Sequence, residues 1–193
     1  MKYRSSITEE EIKYLPRKEF NGEIYLIDTL KKLDIALPLL KDKSVLGFDT
    51  ETRPSFSKGP NNDIALLQLA TSDEAFLFRL NYIGFPQALK TLFEDDSVLK
   101  IGLALKDDLS GLKRFDDFKP ASLVDLQDLA KELSIQHNGL KKLAAIFLNF
   151  RVSKSRSQRL SNWERPILTP KQLRYAATDA WVCYELYHVM SDL

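Results

Sequence analysis

One cysteine, Cys183, stands in 193 residues, so no intrachain disulfide can form, and the chain suits a reducing compartment. Cys183 is expected as a small buried hydrophobe on a helix. Histidine is equally scarce. His137 has no Cys, His or carboxylate at ligand spacing, and no Cys or His in the chain lies at ligand spacing of another, which argues against zinc as a native ion. His137 reads as a loop residue, and His188 as a side chain near the negative end of a last helix. Long apolar runs are missing too: Ile64 to Ala70 is strand-sized and carries Gln68, so it cannot cross a bilayer, and no membrane association is expected. Met1-Lys2-Tyr3-Arg4-Ser5-Ser6 leads into Glu9-Glu10-Glu11 without an apolar stretch. No secretory signal is therefore expected, and the expected location is cytoplasmic.

Net charge is nearly absent, at +1, yet it is unevenly spread. Between Lys141 and Arg174 nine basic residues face one acid, Glu164, giving a local +8 on an otherwise acidic chain. Such a cluster is the footprint of a phosphate-bearing ligand, or else a solvated basic face. Lys154, Arg156 and Arg159 are its best candidates for nucleic-acid contact. Their Ser-rich surroundings (Ser153, Ser155, Ser157) read as an exposed loop. A composition of 44% hydrophobic and 28% charged residues excludes general disorder. Without repeats or linkers, one domain over residues 1–193 is expected. Its core covers about 23–190, with 1–22 as an N-terminal extension.

Hydrophobic periodicity orders the chain. Residues 7–14 read as a short acidic helix capped by Thr8 and ended by Pro16. Glu23–Ile27 reads as a strand, followed by a helix to about Lys41 that Pro38 interrupts. Three strands then form a meander: Val45–Asp49, Ile64–Ala70 and Ala75–Leu80, with Thr71-Ser72-Asp73 as a hairpin. Ile64–Ala70 is apolar on both faces, the pattern of a central, doubly covered strand. Helices are expected at Pro86–Phe93, Asp107–Phe115, Leu126–Leu133, Leu140–Leu148 and from Pro170 to Met190, with strands at Val98–Gly102 and Ser122–Asp125. The expected class is α/β: a mixed sheet, antiparallel meander followed by strand–helix alternation, flanked by helices.

Asp49 and Glu51 lie at i and i+2 where the first core strand runs out, so their carboxylates point the same way. Two like charges there are costly unless a cation sits between them, and all-oxygen ligation selects Mg²⁺ or Mn²⁺. A strand end turning into a polar loop would carry the same letters. Tyr175 and Asp179, at i and i+4, share one helix face, and Ala176, Ala177 and Ala180 allow close packing of that helix. Asp107-Asp108 opens a helix; one is expected to cap it, leaving the other free to face the cleft of Asp49. Asp125, at a strand-to-helix junction, reads as an N-cap rather than a fifth ligand. Trp163 reads as an anchor for the segment before the last helix.

These fragments together resemble the 3′–5′ exonucleases of the DEDD superfamily, in the tyrosine-bearing branch that includes ribonuclease D and the Werner-syndrome exonuclease domain. Gly47-Phe48-Asp49-Thr50-Glu51 and Ile64–Leu69 stand as the first motif. Lys100-Ile101-Gly102 through Asp107-Asp108 stands as the second. Ser161-Asn162-Trp163 and Tyr175-Ala176-Ala177-Thr178-Asp179-Ala180 complete the third. The resemblance covers about residues 23–190 in family order. It implies a ribonuclease H-like fold, hydrolysis from a free 3′ end and two divalent metal ions, Mg²⁺ or Mn²⁺. Asp49, Glu51, Asp108 and Asp179 would be the ligands. Asp108 takes the role rather than Asp107 because it stands six residues after Gly102. Tyr175 would orient or help deprotonate the attacking water, and Thr52 would contact the terminal nucleotide. Some members carry Asn where this chain has Ala104; Werner-like members do not. The expected partner is a nucleic acid with a free 3′ end, single-stranded or frayed, DNA ahead of RNA. A catalytically silent nucleic-acid-binding domain on the same fold is the alternative, although all four carboxylates and the tyrosine are in place.

Overall fold

Thr8 and Glu11 close a capping box around α1 (Glu9–Tyr14): each side chain accepts the other residue's backbone N–H, satisfying two donors the helix leaves open. A computed structural model describes residues 3–54, 62–152, 157 and 160–193 of the chain. β1 (Arg17–Lys18) follows, then β2 (Glu23–Ile27) and α2 (Leu30–Lys41). Thr29 caps α2, which continues through Pro38 rather than ending there.

Three strands then run antiparallel: β3 (Val45–Thr52), β4 (Ile64–Ala70) and β5 (Glu74–Phe78). The expected third strand stops two residues short, because Leu80 opens the one-turn helix α3 (Leu80–Ile83). After α4 (Gln87–Glu94), the chain alternates through β6 (Leu99–Gly102), α5 (Leu105–Leu112), β7 (Leu123–Asp125), α6 (Leu126–Glu132) and α7 (Leu140–Phe147). β8 (Arg151–Val152) pairs with β1, and α8 (Pro170–Met190) completes the described elements.

The main sheet has six strands in the order β2-β5-β4-β3-β6-β7. β3, β4 and β5 form the antiparallel meander; β2 runs parallel to β5, β6 to β3, and β7 to β6. All seven residues of β4 are buried, as a central strand covered on both faces requires. On one face Phe48, Leu67, Leu69, Phe76 and Phe78 pack with Leu33 and Leu40 of α2, Leu89 and Phe93 of α4, and Leu105 and Leu112 of α5. On the other, Leu66, Ala70, Ala75 and Leu77 pack with Ala176, Ala177 and Ala180 of α8. Ile101 of β6 joins Leu126 of α6, Leu143 of α7 and Val182 of α8 on that same side. The sheet is thus mixed and helix-covered on both faces. β3 sits near its middle, with α8 across one side and α5 at its C-terminal end.

Candidate metal and catalytic site

Gly47 decides how closely α8 approaches β3. A Cβ at that position would lie 2.0 Å from the Ala180 carbonyl oxygen and 2.8 Å from the Tyr184 amide nitrogen, so the helix backbone rests directly on the strand. Ala176, Ala177 and Ala180 are fully buried in the contact. The helix entry is fixed by a capping box: Thr169 N–H donates to Gln172 Oε1 at 3.0 Å, and Gln172 N–H to Thr169 Oγ1 at 3.2 Å. Buried Gln172 also donates to Ser161 Oγ at 3.0 Å and to the Asn162 carbonyl at 3.3 Å, tying the Ser161-Asn162-Trp163 segment to the first turn.

The close approach brings Asp179 to Asp49 and Glu51. Carboxylate oxygens of the three lie within 4.8 Å of one another. β3 is longer than expected and runs to Thr52, so Asp49 and Glu51 stand within the strand rather than at its end. They share the face of Gly47, towards α8. A donor set made of carboxylate oxygens fits a hard divalent cation, which would also relieve the repulsion among three charges. Tyr175, one turn before Asp179, is buried. That burial, together with the charges of Asp179, Glu51 and Asp49, drives its hydroxyl pKa far above the usual tyrosine range. Trp163, fully buried, packs its ring 6.1 Å from that of Tyr175.

Asp108 approaches from the opposite face of β3. Its carboxylate accepts a hydrogen bond from the Thr50 hydroxyl, and it is half-buried while Asp107 is exposed. Burial pushes Asp108 up to about 6; the Thr50 hydrogen bond opposes that rise, and Asp107 and Asp125 add to it. Asp108 is not one of the three mutually close carboxylates. It lines, with Glu51, a cleft of about 450 Å³ bounded by Thr50, Thr52, Arg53, Pro54, Asn62, Ser110 and Arg114. Thr52 is exposed at the rim of that cleft.

The expectation that Asp107 or Asp108 caps its helix is corrected. α5 begins at Leu105, and its open amides are taken by Asp125, whose carboxylate accepts from Ala104 N–H at 3.0 Å and Leu105 N–H at 2.9 Å. The same carboxylate caps α6 through Gln127 N–H at 2.9 Å, as its position after a strand suggests. Ala104, at φ 59° and ψ 47°, is left-handed, a conformation that costs a residue with a Cβ and that Asp125 holds in place. A second anchor had no sequence signal. Arg79 is buried and donates to the Arg165 carbonyl at 2.8 Å and the Pro166 carbonyl at 3.3 Å, securing the segment that leads into α8.

His137 lies beside Lys142 and His188 beside Tyr184 and Tyr187, so neither is gathered with the carboxylates. Cys183 is buried on α8. Lys154, Arg156 and Arg159 lie outside the described residues.

Residues 24–193 match a protein-family model described as 3′-5′ exonuclease. The chain is 34% identical over 199 residues to the bifunctional 3′-5′ exonuclease/ATP-dependent helicase WRN of Mus musculus, a match covering 98% of this chain and 14% of that protein. It therefore spans about one seventh of that relative's length. Among solved structures, the Nibbler EXO domain of Aedes aegypti is similar with a TM-score of 0.79 and 26% identity, over 91% of each chain. Ribonuclease D of Trypanosoma brucei in complex with the RNA U12 is similar with a TM-score of 0.78 and 19% identity, over 89% of this chain and 63% of that one. The second likeness is one of fold.

Proposed function

This chain belongs to the 3′-5′ exonuclease family, and on that premise we propose that it hydrolyses nucleotides from the 3′ end of a polynucleotide with two divalent cations, Mg²⁺ or Mn²⁺. The observation that carries the reading is the convergence of Asp49, Glu51 and Asp179 beside the buried Tyr175 hydroxyl. Asp49, Glu51 and Asp179 would hold a cation, and Asp108 would add a further carboxylate from the Thr50 side. When bound, the cations lower the pKa of water and stabilise the attacking and leaving oxygens of an in-line displacement.

The protein's own groups do the rest. Tyr175, its buried hydroxyl set beside Asp179, Glu51 and Asp49, orients or helps deprotonate the attacking water. Thr50 fixes the Asp108 carboxylate, and Asp125 fixes the helix carrying it. Thr52, at the rim of the cleft, contacts the terminal nucleotide.

Deoxyribose is proposed ahead of ribose because Ser161-Asn162-Trp163 and Ala176-Ala177-Thr178-Asp179-Ala180 resemble the Werner-like members of the family. The likeness to an RNA-bound ribonuclease D is one of fold and does not choose the sugar. Matched 5′-labelled DNA and RNA strands, single-stranded and recessed, incubated with Mg²⁺ and with Mn²⁺, test the proposal. A ladder shortening from the 3′ end is expected, faster on DNA. Faster shortening of RNA reverses the sugar preference, and no shortening of either strand removes the enzyme reading.

A further inference from the structure

The cleft beside the carboxylates has two arginines at its rim, each paired with a carboxylate. Among the described residues lining that cleft, Glu51, Asp107 and Asp108 are negative, and the positive side chains are Arg53 and Arg114. A polyanionic strand entering beside three acids needs those cations. Both arginines are engaged by acids from outside the lining. Arg53 Nη1 donates to Glu164 Oε2 at 3.3 Å, and Arg114 Nε to Asp63 Oδ1 at 3.1 Å.

Asn62 joins the two positions. Its side-chain amide donates to the Arg53 carbonyl at 2.7 Å, and its own carbonyl accepts from Arg114 Nη2 at 2.9 Å. The rim thus runs Arg53–Asn62–Arg114 along one side of the cleft, with Asn62 holding the Arg53 backbone through its side-chain amide and the Arg114 guanidinium through its carbonyl. Side chains of the two pairs are 56% and 36% exposed for Arg53 and Glu164, and 41% and 71% for Arg114 and Asp63. Ion pairs so open to water are worth about 0–1 kcal/mol and exchange at little cost. Phosphate offers a guanidinium the same paired oxygens as carboxylate, with more charge along a strand.

We propose that Arg53 and Arg114 bind backbone phosphates of the substrate strand, and that Glu164 and Asp63 occupy them in the free protein and are displaced when the strand enters. This rests on the exonuclease reading and adds to it the groups that hold the strand. It places them at the motif flanks, on Arg53 directly after Glu51-Thr52 and on Arg114 just beyond α5.

The test is the affinity for a dye-labelled oligothymidylate by fluorescence anisotropy over a salt series, in protein made inert by Asp49→Asn and with Mg²⁺ present. Arg53→Gln and Arg114→Gln are each expected to weaken binding about 3- to 10-fold. Each should also flatten the slope of log K against log salt by about 0.7. Glu164→Gln and Asp63→Asn are expected to tighten binding about 2- to 5-fold, since a competitor for the arginine is gone. Thermal melting of each variant separates lost folding from lost contact. Arginine variants with unchanged affinity and slope overturn the inference, as do acid variants that weaken binding as much as the arginine variants. If the parent still shortens strands in either case, the exonuclease reading stands without this one. A parent that neither binds nor cleaves strands overturns both.

Discussion

Thr50 donates its hydroxyl hydrogen bond to Asp108, linking the strand that carries Asp49 and Glu51 to the helix that brings the fourth carboxylate. Thr50 points away from its two acidic neighbours, as strand alternation demands, and so meets the Asp108 carboxylate arriving on the other face. The hydrogen bond favours the ionised form of Asp108 against a burial that opposes it. Cation affinity should therefore fall as pH drops through about 6 and Asp108 takes a proton. Thr50→Val should move that midpoint upward. Mn²⁺ titrations between acid and neutral pH measure it; an affinity indifferent to pH across 6 would remove Asp108 from the ligand set.

Asp108 also predicts a trade between stability and function. Its pKa is raised from 3.8 to about 6 on folding, so the native protein holds this proton more tightly than the unfolded chain does. The contribution to stability is full below about 3.8, declines as pH rises, and is gone above about 6. At neutral pH the ionised group is a net penalty, about 1–3 kcal/mol after allowing for its contact with solvent in the cleft. Asp108→Asn should melt higher than the parent at neutral pH in chelator, match it near pH 4, and lose activity by more than the roughly 10–100-fold of an outer-shell change. A lower melting temperature at neutral pH contradicts this.

Asp107 is the internal control for register. It is exposed and caps nothing, so Asp107→Ala should leave rate and stability within a few-fold and about 0.5 kcal/mol of the parent. Loss of activity on that substitution, with Asp108→Ala spared, would shift the second motif by one residue.

Tyr175→Phe keeps the ring against Trp163 and deletes the hydroxyl. If the hydroxyl orients a water already activated by metal, the single-turnover rate should fall by less than the roughly 10²–10⁴-fold of a lost general base. Mn²⁺ affinity should be unchanged. A variant as fast as the parent takes the hydroxyl off the reaction path.

Gly47→Ala tests the packing that assembles the site. The new methyl would meet helix backbone at Ala180 and Tyr184, where no flexible side chain can yield. Destabilisation of at least about 1–3 kcal/mol is expected, with a loss of Mn²⁺ affinity as Asp179 is pushed from Asp49. Parent-like melting and affinity would mean that α8 sits less firmly than the contact implies.

Local signals explain what was legible in the sequence. Glu23–Ile27, Ile64–Ala70 and Pro170–Met190 occur as read, because periodicity, apolar runs and the Thr169–Gln172 cap all act within a few residues. The start of α5 was not legible, since its cap comes from Asp125, about twenty residues further on. The burial of Arg79 and the two-residue pairing of β1 with β8 depend on distant chain in the same way. Asp49, Glu51 and Asp179 were legible as candidates, but the contact that unites them passes through Gly47, whose part is set by how the sheet and helix meet.

The central claim is that hydrolysis from a 3′ end runs on cations held by the converging carboxylates. Its most direct test follows a 5′-labelled single strand with Mg²⁺, after excess EDTA, after Mg²⁺ is restored, and with Asp179→Asn in place of the parent. The account predicts stepwise shortening that stops on chelation, resumes on restoration and is lost in the variant. Undiminished shortening in EDTA, or in Asp179→Asn, contradicts it.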